Sequence, residues 1–251
     1  MIRHLLQLIW NQRKQNAWLW AELLLVSVFL WFLVDYLYVM GRTYTAPLGF
    51  DIRHTYSIVI SSLSERSPDY IPKEKRERPD GVHLLTALDR IRTYPGVESA
   101  CLTDGGMPYY MGSRNLVWRI DTLQVPCRYA FVTPEFFDVF RIYDKDGKTA
   151  SLKRAIEDNN SIVISADVET MNPGLSLLGQ KAYRGNVTDE IEETIRGISV
   201  PIRRHEYTKA EPNVYRALRL SRMEEGYYEG MIDAVRLCVR VRPDVDNADF
   251  P

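Results

Sequence analysis

Two carboxylates, Glu22 and Asp35, stand inside the otherwise apolar stretch WAELLLVSVFLWFLVDYLYV at residues 20–39. Acids at mid-depth in a bilayer can relay protons, and there an ionised group is costly. Depth decides against that chemistry here. With the apolar core centred near Phe29, Glu22 falls toward one headgroup layer and Asp35 toward the other, where ionised groups cost far less. At about 100° per residue the two point to largely opposed faces, so they do not form an acid pair. They are expected to anchor the helix at its two boundaries and to touch neighbouring helices.

Other chemistry-bearing residues are scattered. No G-x-x-x-x-G-K-[ST], G-x-S-x-G or H-E-x-x-H occurs. His4, His54, His83 and His205 lack metal-ligand spacing, and His4 precedes the apolar stretch while the others follow it. DKDGKT opens like a calcium loop, but counting Asp144 as position 1 puts Ala155 where the bidentate Glu should stand, so it reads as a polar turn. Gly105 and Gly106 precede no phosphate-cradling helix and read as a flexible loop. The acid pairs Asp189/Glu190 and Glu192/Glu193 sit in VTDEIEET, a charge run expected to be solvated. Cys101, Cys127 and Cys238 include no CxxC and allow at most one internal disulfide; they read as small buried apolar side chains. No catalytic, cofactor-binding or metal residue is therefore assigned, and the chain is not expected to be an enzyme. A formal net charge of -1 gives no reason to expect nucleic acid.

The elements that carry these residues begin with the span. From Ala17 to Met40 only Ser27 and the two acids interrupt apolar or aromatic residues. As a helix this stretch extends roughly 36 Å at about 1.5 Å per residue, against a bilayer core of roughly 30 Å. Trp18, Trp20, Tyr36 and Tyr38 suit the interfaces. Arg3, Arg13 and Lys14 precede it without an acid, whereas acids and bases mix after it, so the amino terminus is expected in the cytoplasm. A cleaved signal peptide is the rival reading, but its apolar core would be shorter, and VMGRTYTAPLG offers no convincing small-x-small site, so an uncleaved anchor is expected. In residues 1–16, Ile2, Leu5, Leu6, Ile9 and Trp10 fall at helical spacing; this segment either lies along the inner membrane surface or extends the span.

Beyond the span, residues 41–251 are enough for one large domain or two lobes. TYSIVISSL is a β-branched run, and ERSPDYIPKEKRERPDG an exposed loop. DGVHLLTALDRIRTYPGV predicts a helix capped by Asp80 and stopped by Pro-Gly, and VESACL, LVWRI and CRYAFV predict strands. VTPEFFDVF predicts a helix capped by Thr133 with Phe136, Phe137 and Phe140 on one face. SIVIS reads as a buried strand leading into a short helix, ADVETM, ended by NPG; ETIRGISVPIRR is extended. In RLCVRVRP, Leu237, Val239 and Val241 alternate with Arg236, Cys238, Arg240 and Arg242, which predicts one core face and one basic face toward water or a partner. The expected fold class is α+β: one N-terminal transmembrane helix followed by a mixed α/β extracytoplasmic domain, as one body or two lobes.

The order of these pieces resembles the amino-terminal half of a MacB-type, FtsX-like ABC transporter permease. The resemblance runs through a basic amphipathic start and one span, then YPGVESACL, VTPEFFDVFRI, SIVISADV, LLGQKAY, IRGISVPIRR and CVRVRPDVDNADF, and covers nearly the whole chain. NQRKQNAWLWAELLLVSVFLW is similar to permeases of this group in Bacteroidetes. The resemblance implies a non-catalytic subunit without cofactor in the bacterial inner membrane, with residues 41–251 periplasmic. It implies as partners a cytoplasmic ABC ATPase subunit, a second permease as homodimer or heterodimer, and a periplasmic or outer-membrane protein. It implies a cytoplasmic segment 1–16, a transmembrane helix 17–40, a stalk-proximal lobe from 41–132 and 206–251, and a second lobe from 133–205. Permeases of the family continue into further spans after the VRVRP region, so the sequence is expected to be either part of a longer permease, which DVDNADFP favours as the lead into a next helix, or a single-span derivative that keeps the extracytoplasmic part. A single-span membrane-anchored sensor or ligand-binding module is the alternative, and an anchored periplasmic enzyme would need a convergent polar cluster that the sequence does not display.

Overall fold

The computed structural model describes residues 3, 7, 10, 14, 17–61, 63–72, 75–110, 112, 114–185, 190–228 and 232–245. The chain divides into two compact units, 1–47 and 48–251. In the first, helix α1 spans Ala17–Thr45 and buries none of its residues. It runs past the expected end at Met40, because nothing breaks it until Pro47 disfavours helical geometry at Ala46. Thr45 Oγ1 donates to Gly41 O at 3.0 Å and closes the last turn. Ile2, Leu5, Leu6 and Ile9, on which the amphipathic reading mainly rests, and Arg13, one of the three basic residues before the span, lie outside the described residues, as do His4, Asp189 and residues 246–251.

Among the described residues the second unit forms a nine-stranded sheet: β1 Thr55–Ile58, β2 Val97–Asp104, β3 Asn115–Ile120, β4 Leu123–Val132, β5 Ser161–Ser165, β6 Lys181–Arg184, β7 Ile191–Ser199, β8 Asn213–Ala217 and β9 Val235–Val241. Its order is β1-β9-β2-β4-β3-β6-β7-β5-β8, with β8 returning to pair in parallel with β4. That return closes β4, β3, β6, β7, β5 and β8 into a six-stranded ring, and β2, β9 and β1 continue from it as an open extension. The ring takes β5, β6 and β7 from residues 133–205 and β3, β4 and β8 from outside them.

Side-chain alternation explains both parts. Trp118 and Ile120 of β3, Val125 and Cys127 of β4, Ile162 and Ile164 of β5, Ala182 of β6, Ile195 of β7 and Val214 of β8 form one buried cluster inside the ring. Against the open extension packs α2, Asp80–Arg92, with Leu84 and Leu88 buried on Ala100, Leu102, Leu237 and Val239. A third cluster gathers under the short helices α3, Phe136–Val139, and α4, Ala150–Ala155, where Phe136, Phe137 and Phe140 meet Tyr215. Two further short α-helices, α5 Asp167–Met171 and α6 Leu220–Glu224, are little more than single turns.

Three local expectations change. Asp80 is not a cap: Pro79 holds that position, and Asp80 pairs with Arg76 at 2.7 Å from the first turn. Thr133 does not cap α3 either, because its Oγ1 is taken across the sheet by Leu102 N at 3.1 Å. The basic face expected for β9 reaches water only toward its ends, where Arg242 is exposed and Arg236 half-buried; at Arg240 it is covered. β9 lies between β1 and β2 with Val139 of α3 over it, and Arg240 is 3 % exposed. Its guanidinium donates to Val139 O at 2.7 Å, to Arg53 O at 2.8 Å and to Asp51 O. Those carbonyls belong to the segment that enters the unit, so a buried cation ties the incoming chain to β9.

Candidate functional site

On the inward face of the ring, the alternation that places Ala182, Ile195 and Val214 in the core places Arg184, Glu193 and Arg216 two residues further along the same face. Apolar filling therefore gives way to an ionic plug. Glu193, 1 % exposed, accepts from Trp118 Nε1 at 3.2 Å, Arg184 Nε at 3.2 Å and Arg216 Nε at 2.6 Å. Arg216 also lies over the Phe131 ring, 4.9 Å from its centroid. Glu193 is thus a buried hub and not part of a solvated charge run. The signal that could have found it is the period of two running back from Ile195.

Above this plug opens a cleft of about 540 Å³. Asp104 at the end of β2 and Arg114 before β3 form one wall, paired at 2.6 Å. Arg219 and Arg222 of the β8–α6 segment and Tyr227 form another, with Arg222 lying 5.2 Å from the Tyr227 ring centroid. Among the described residues no carboxylate forms an ion pair with Arg219 or Arg222. Among the described residues that line it, the cleft holds five arginines against two carboxylates, a surplus of three positive charges.

Burial and charge act together on its groups. Burial pushes the Asp104 carboxyl above its ordinary value, and Arg114 pulls it partly back. Burial, with Asp104 adding to it, pushes the Tyr228 hydroxyl up to about 12. Burial also lowers the Arg216 guanidinium; Glu193 opposes that, while Arg184 and Arg219 add to it. The arrangement favours an incoming anion.

The sequence-predicted boundary acids Glu22 and Asp35 both lie on α1 and are exposed. Thirteen residues separate them by roughly 20 Å along the axis at about 1.5 Å per residue, so the helix keeps them apart. Among the described residues no group of three or more His, Cys, Asp or Glu side chains could hold a metal ion. DKDGKT is a turn in which Asp144 Oδ1 accepts from Asp146 N at 2.9 Å and Lys148 N at 2.8 Å. Gly105 and Gly106 both adopt positive φ, 85° and 69°, and a Cβ on Gly106 would lie 2.5 Å from that of Ala130. Cys101, Cys127 and Cys238 are free and buried.

No family model and no curated protein matches the chain. Among solved structures it is similar to a domain of a protein described as a permease from Porphyromonas gingivalis, at 20% identity and a TM-score of 0.46; the match covers 65% of this chain and 63% of that one. It is similar to the periplasmic region of MacB from Actinobacillus actinomycetemcomitans, at 10% identity and a TM-score of 0.45, over 82% of this chain and 83% of that one. It is also similar to the extracellular domain of the noncanonic ABC-type transporter YknZ from Gram-positive bacteria, at 11% identity and a TM-score of 0.44, over 76% and 84% of the two chains. The chain thus spans 63% of the length of the first of these structures.

Proposed function

We propose that the chain is a non-catalytic, permease-type subunit of an ABC transporter complex. In this reading α1 crosses the inner membrane with the amino terminus in the cytoplasm, and residues 41–251 lie in the periplasm. That domain transmits motion driven by a cytoplasmic ATPase, or engages a periplasmic partner. A stalk-proximal part (41–132 and 206–251) and a second part (133–205) belong to the same reading, as do a second permease copy or homologue and boundary roles for Glu22 and Asp35.

The observation that carries the proposal is the way the domain grips its incoming chain. β1 lies antiparallel to β9, with Thr55 opposite Arg240, so the chain enters and leaves this strand pair at the same end. His54 O accepts from Val241 N at 2.9 Å, and Asp51 N donates to Phe140 O at 2.8 Å. Arg203 N donates to Leu48 O at 3.0 Å, and Gly49, at φ 83°, passes so close to Pro201 that a Cβ would sit 2.1 Å from its carbonyl oxygen. With Arg240 these contacts fasten residues 48–54 to β9, to the α3 corner and to the 201–203 turn. A displacement of the incoming segment is therefore delivered to the sheet rather than absorbed in a loose linker.

The test is affinity purification of the protein from membranes of its own host. Co-purification of an ABC ATPase, weakened by Arg240→Met, is expected. Recovery of the intact protein from membranes with no ATPase would overturn the assignment. A second reading, a membrane-anchored ligand-binding module, is favoured by the arginine-lined cleft; it predicts ligand binding with no ATPase associated.

A further inference from the structure

We infer that the cleft at the end of the six-stranded ring is a binding site for a phosphate ester, held by Arg219 and Arg222 over a floor made by Arg184, Arg216 and Glu193. This goes beyond the transporter reading and holds whether the domain is moved by an ATPase or only anchored.

The charge arrangement identifies the chemistry. Glu193 already engages Arg184 and Arg216, and Asp104 already engages Arg114. These three arginines are held in place before any ligand arrives, whereas the two on the rim have no carboxylate partner among the described residues. One carboxylate would neutralise one of the three surplus charges. A phosphate monoester brings about two negative charges and three terminal oxygens, and planar guanidinium forks match those oxygens in pairs. Guanidinium groups so close together repel one another, so an anion between them gains from every neighbour at once.

The cleft is also larger than a bare ion needs. At about 540 Å³ it has room for an organic group beside the phosphate. Tyr227 offers an exposed ring on one side, and Asn159 and Asn160 border the cleft on the other. These features fit a hydroxylated or ring-bearing moiety. The phosphate could be presented by a soluble ester or by a lipid headgroup, and the same site chemistry would receive either.

The experiment is calorimetric titration of the full-length protein in a non-ionic detergent at pH 8, where a phosphomonoester is a dianion. The probes are inorganic phosphate, sn-glycerol 3-phosphate, dihexanoyl phosphatidic acid and, at matched ionic strength, succinate. Saturable binding of phosphate and of at least one ester is expected, with succinate about tenfold or more weaker. Tighter binding of glycerol 3-phosphate assigns a soluble ester, and tighter binding of the short lipid assigns a headgroup. Arg219→Gln with Arg222→Gln changes exposed side chains only, so the variant should unfold at the wild-type temperature while its phosphate affinity falls about tenfold or more. Absence of saturable phosphate binding, equal binding of succinate, or unchanged affinity in the folded double variant would each overturn the inference.

Discussion

Glu193→Gln tests the ionic plug most directly. The substitution keeps the shape of the side chain but removes its charge, and it puts an NH₂ donor where one oxygen had accepted. Two guanidinium groups then lose their only carboxylate partner in the network, and the new NH₂ must face either Trp118 Nε1 or both Arg184 Nε and Arg216 Nε. Breaking one side of a fully buried pair costs about 3–5 kcal/mol. Here the arginine side chains are 21% and 12% exposed, so water recovers part of the loss and the lower end, about 3 kcal/mol, is expected. For a domain of this size about 1 kcal/mol shifts Tm by roughly 2–4 °C, which gives a fall of about 6–12 °C. Circular dichroism melting of the full-length protein in non-ionic detergent measures it. Arg216→Met on the Glu193→Gln background should cost less than the two single changes added together, because both remove the same contact. A Tm within about 2 °C of wild type, or strict additivity, would refute the assignment of Glu193 as a hub.

Four further outcomes are expected. Gly197→Ala pushes a Cβ to 2.8 Å from Val163 Cγ2 and 3.0 Å from Ala155 Cβ, so urea unfolding should show a loss of about 1–3 kcal/mol from overpacking. The hydrogen bond from Arg53 holds the Asp51 carboxyl down to about 2, against 3.8 for the free group. A depressed carboxylate adds stability that is fully present above the unfolded value and lost as pH falls through the folded one; unfolding at stepped pH should therefore show a loss between about 4 and 2 that Asp51→Asn reduces. A thiol reagent should find no reactive cysteine in the native protein and all three after denaturation, since burial raises Cys101 and pushes Cys127 up to about 12. Glu22→Ala and Asp35→Ala should each leave the protein in the membrane fraction but weaken its cross-linking to a partner subunit; unchanged cross-linking removes their role in helix contacts.

Local pattern made several elements readable and tertiary closure hid the rest. SIVIS was legible as β5 because five consecutive small or apolar residues suit a strand covered on both faces, and all five are buried. The helix over residues 80–92 followed from Val82, Leu85, Leu88 and Ile91 at helical spacing, although its buried side chains are Leu84 and Leu88. The alternation in RLCVRVRP was legible, but not the destination of Arg240, because alternation cannot say that α3 will roof the second face. The ring was out of reach: β4 pairs with β8 and β5 with β7 in parallel, and those partners lie far apart along the chain. Glu193 was hidden for the same reason. Its neighbours Arg184, Arg216 and Trp118 come from three other strands, so although the period of two from Ile195 turns Glu193 inward, nothing local shows the partners that let its charge be buried.

The place of β9 also sets an order of assembly. Among the described residues β1 pairs only with β9, and β2 meets β4 only at Thr103 and Asp104 while its length lies against β9. A chain emerging from its amino terminus presents β1 early and β9 among the last of its strands. The first strand to be made therefore waits with its backbone donors and acceptors open until residues 235–241 insert between β1 and β2. Synthesis that stalls before Val235 leaves two unsatisfied strand edges, a substrate for chaperones and proteases rather than a shortened working domain.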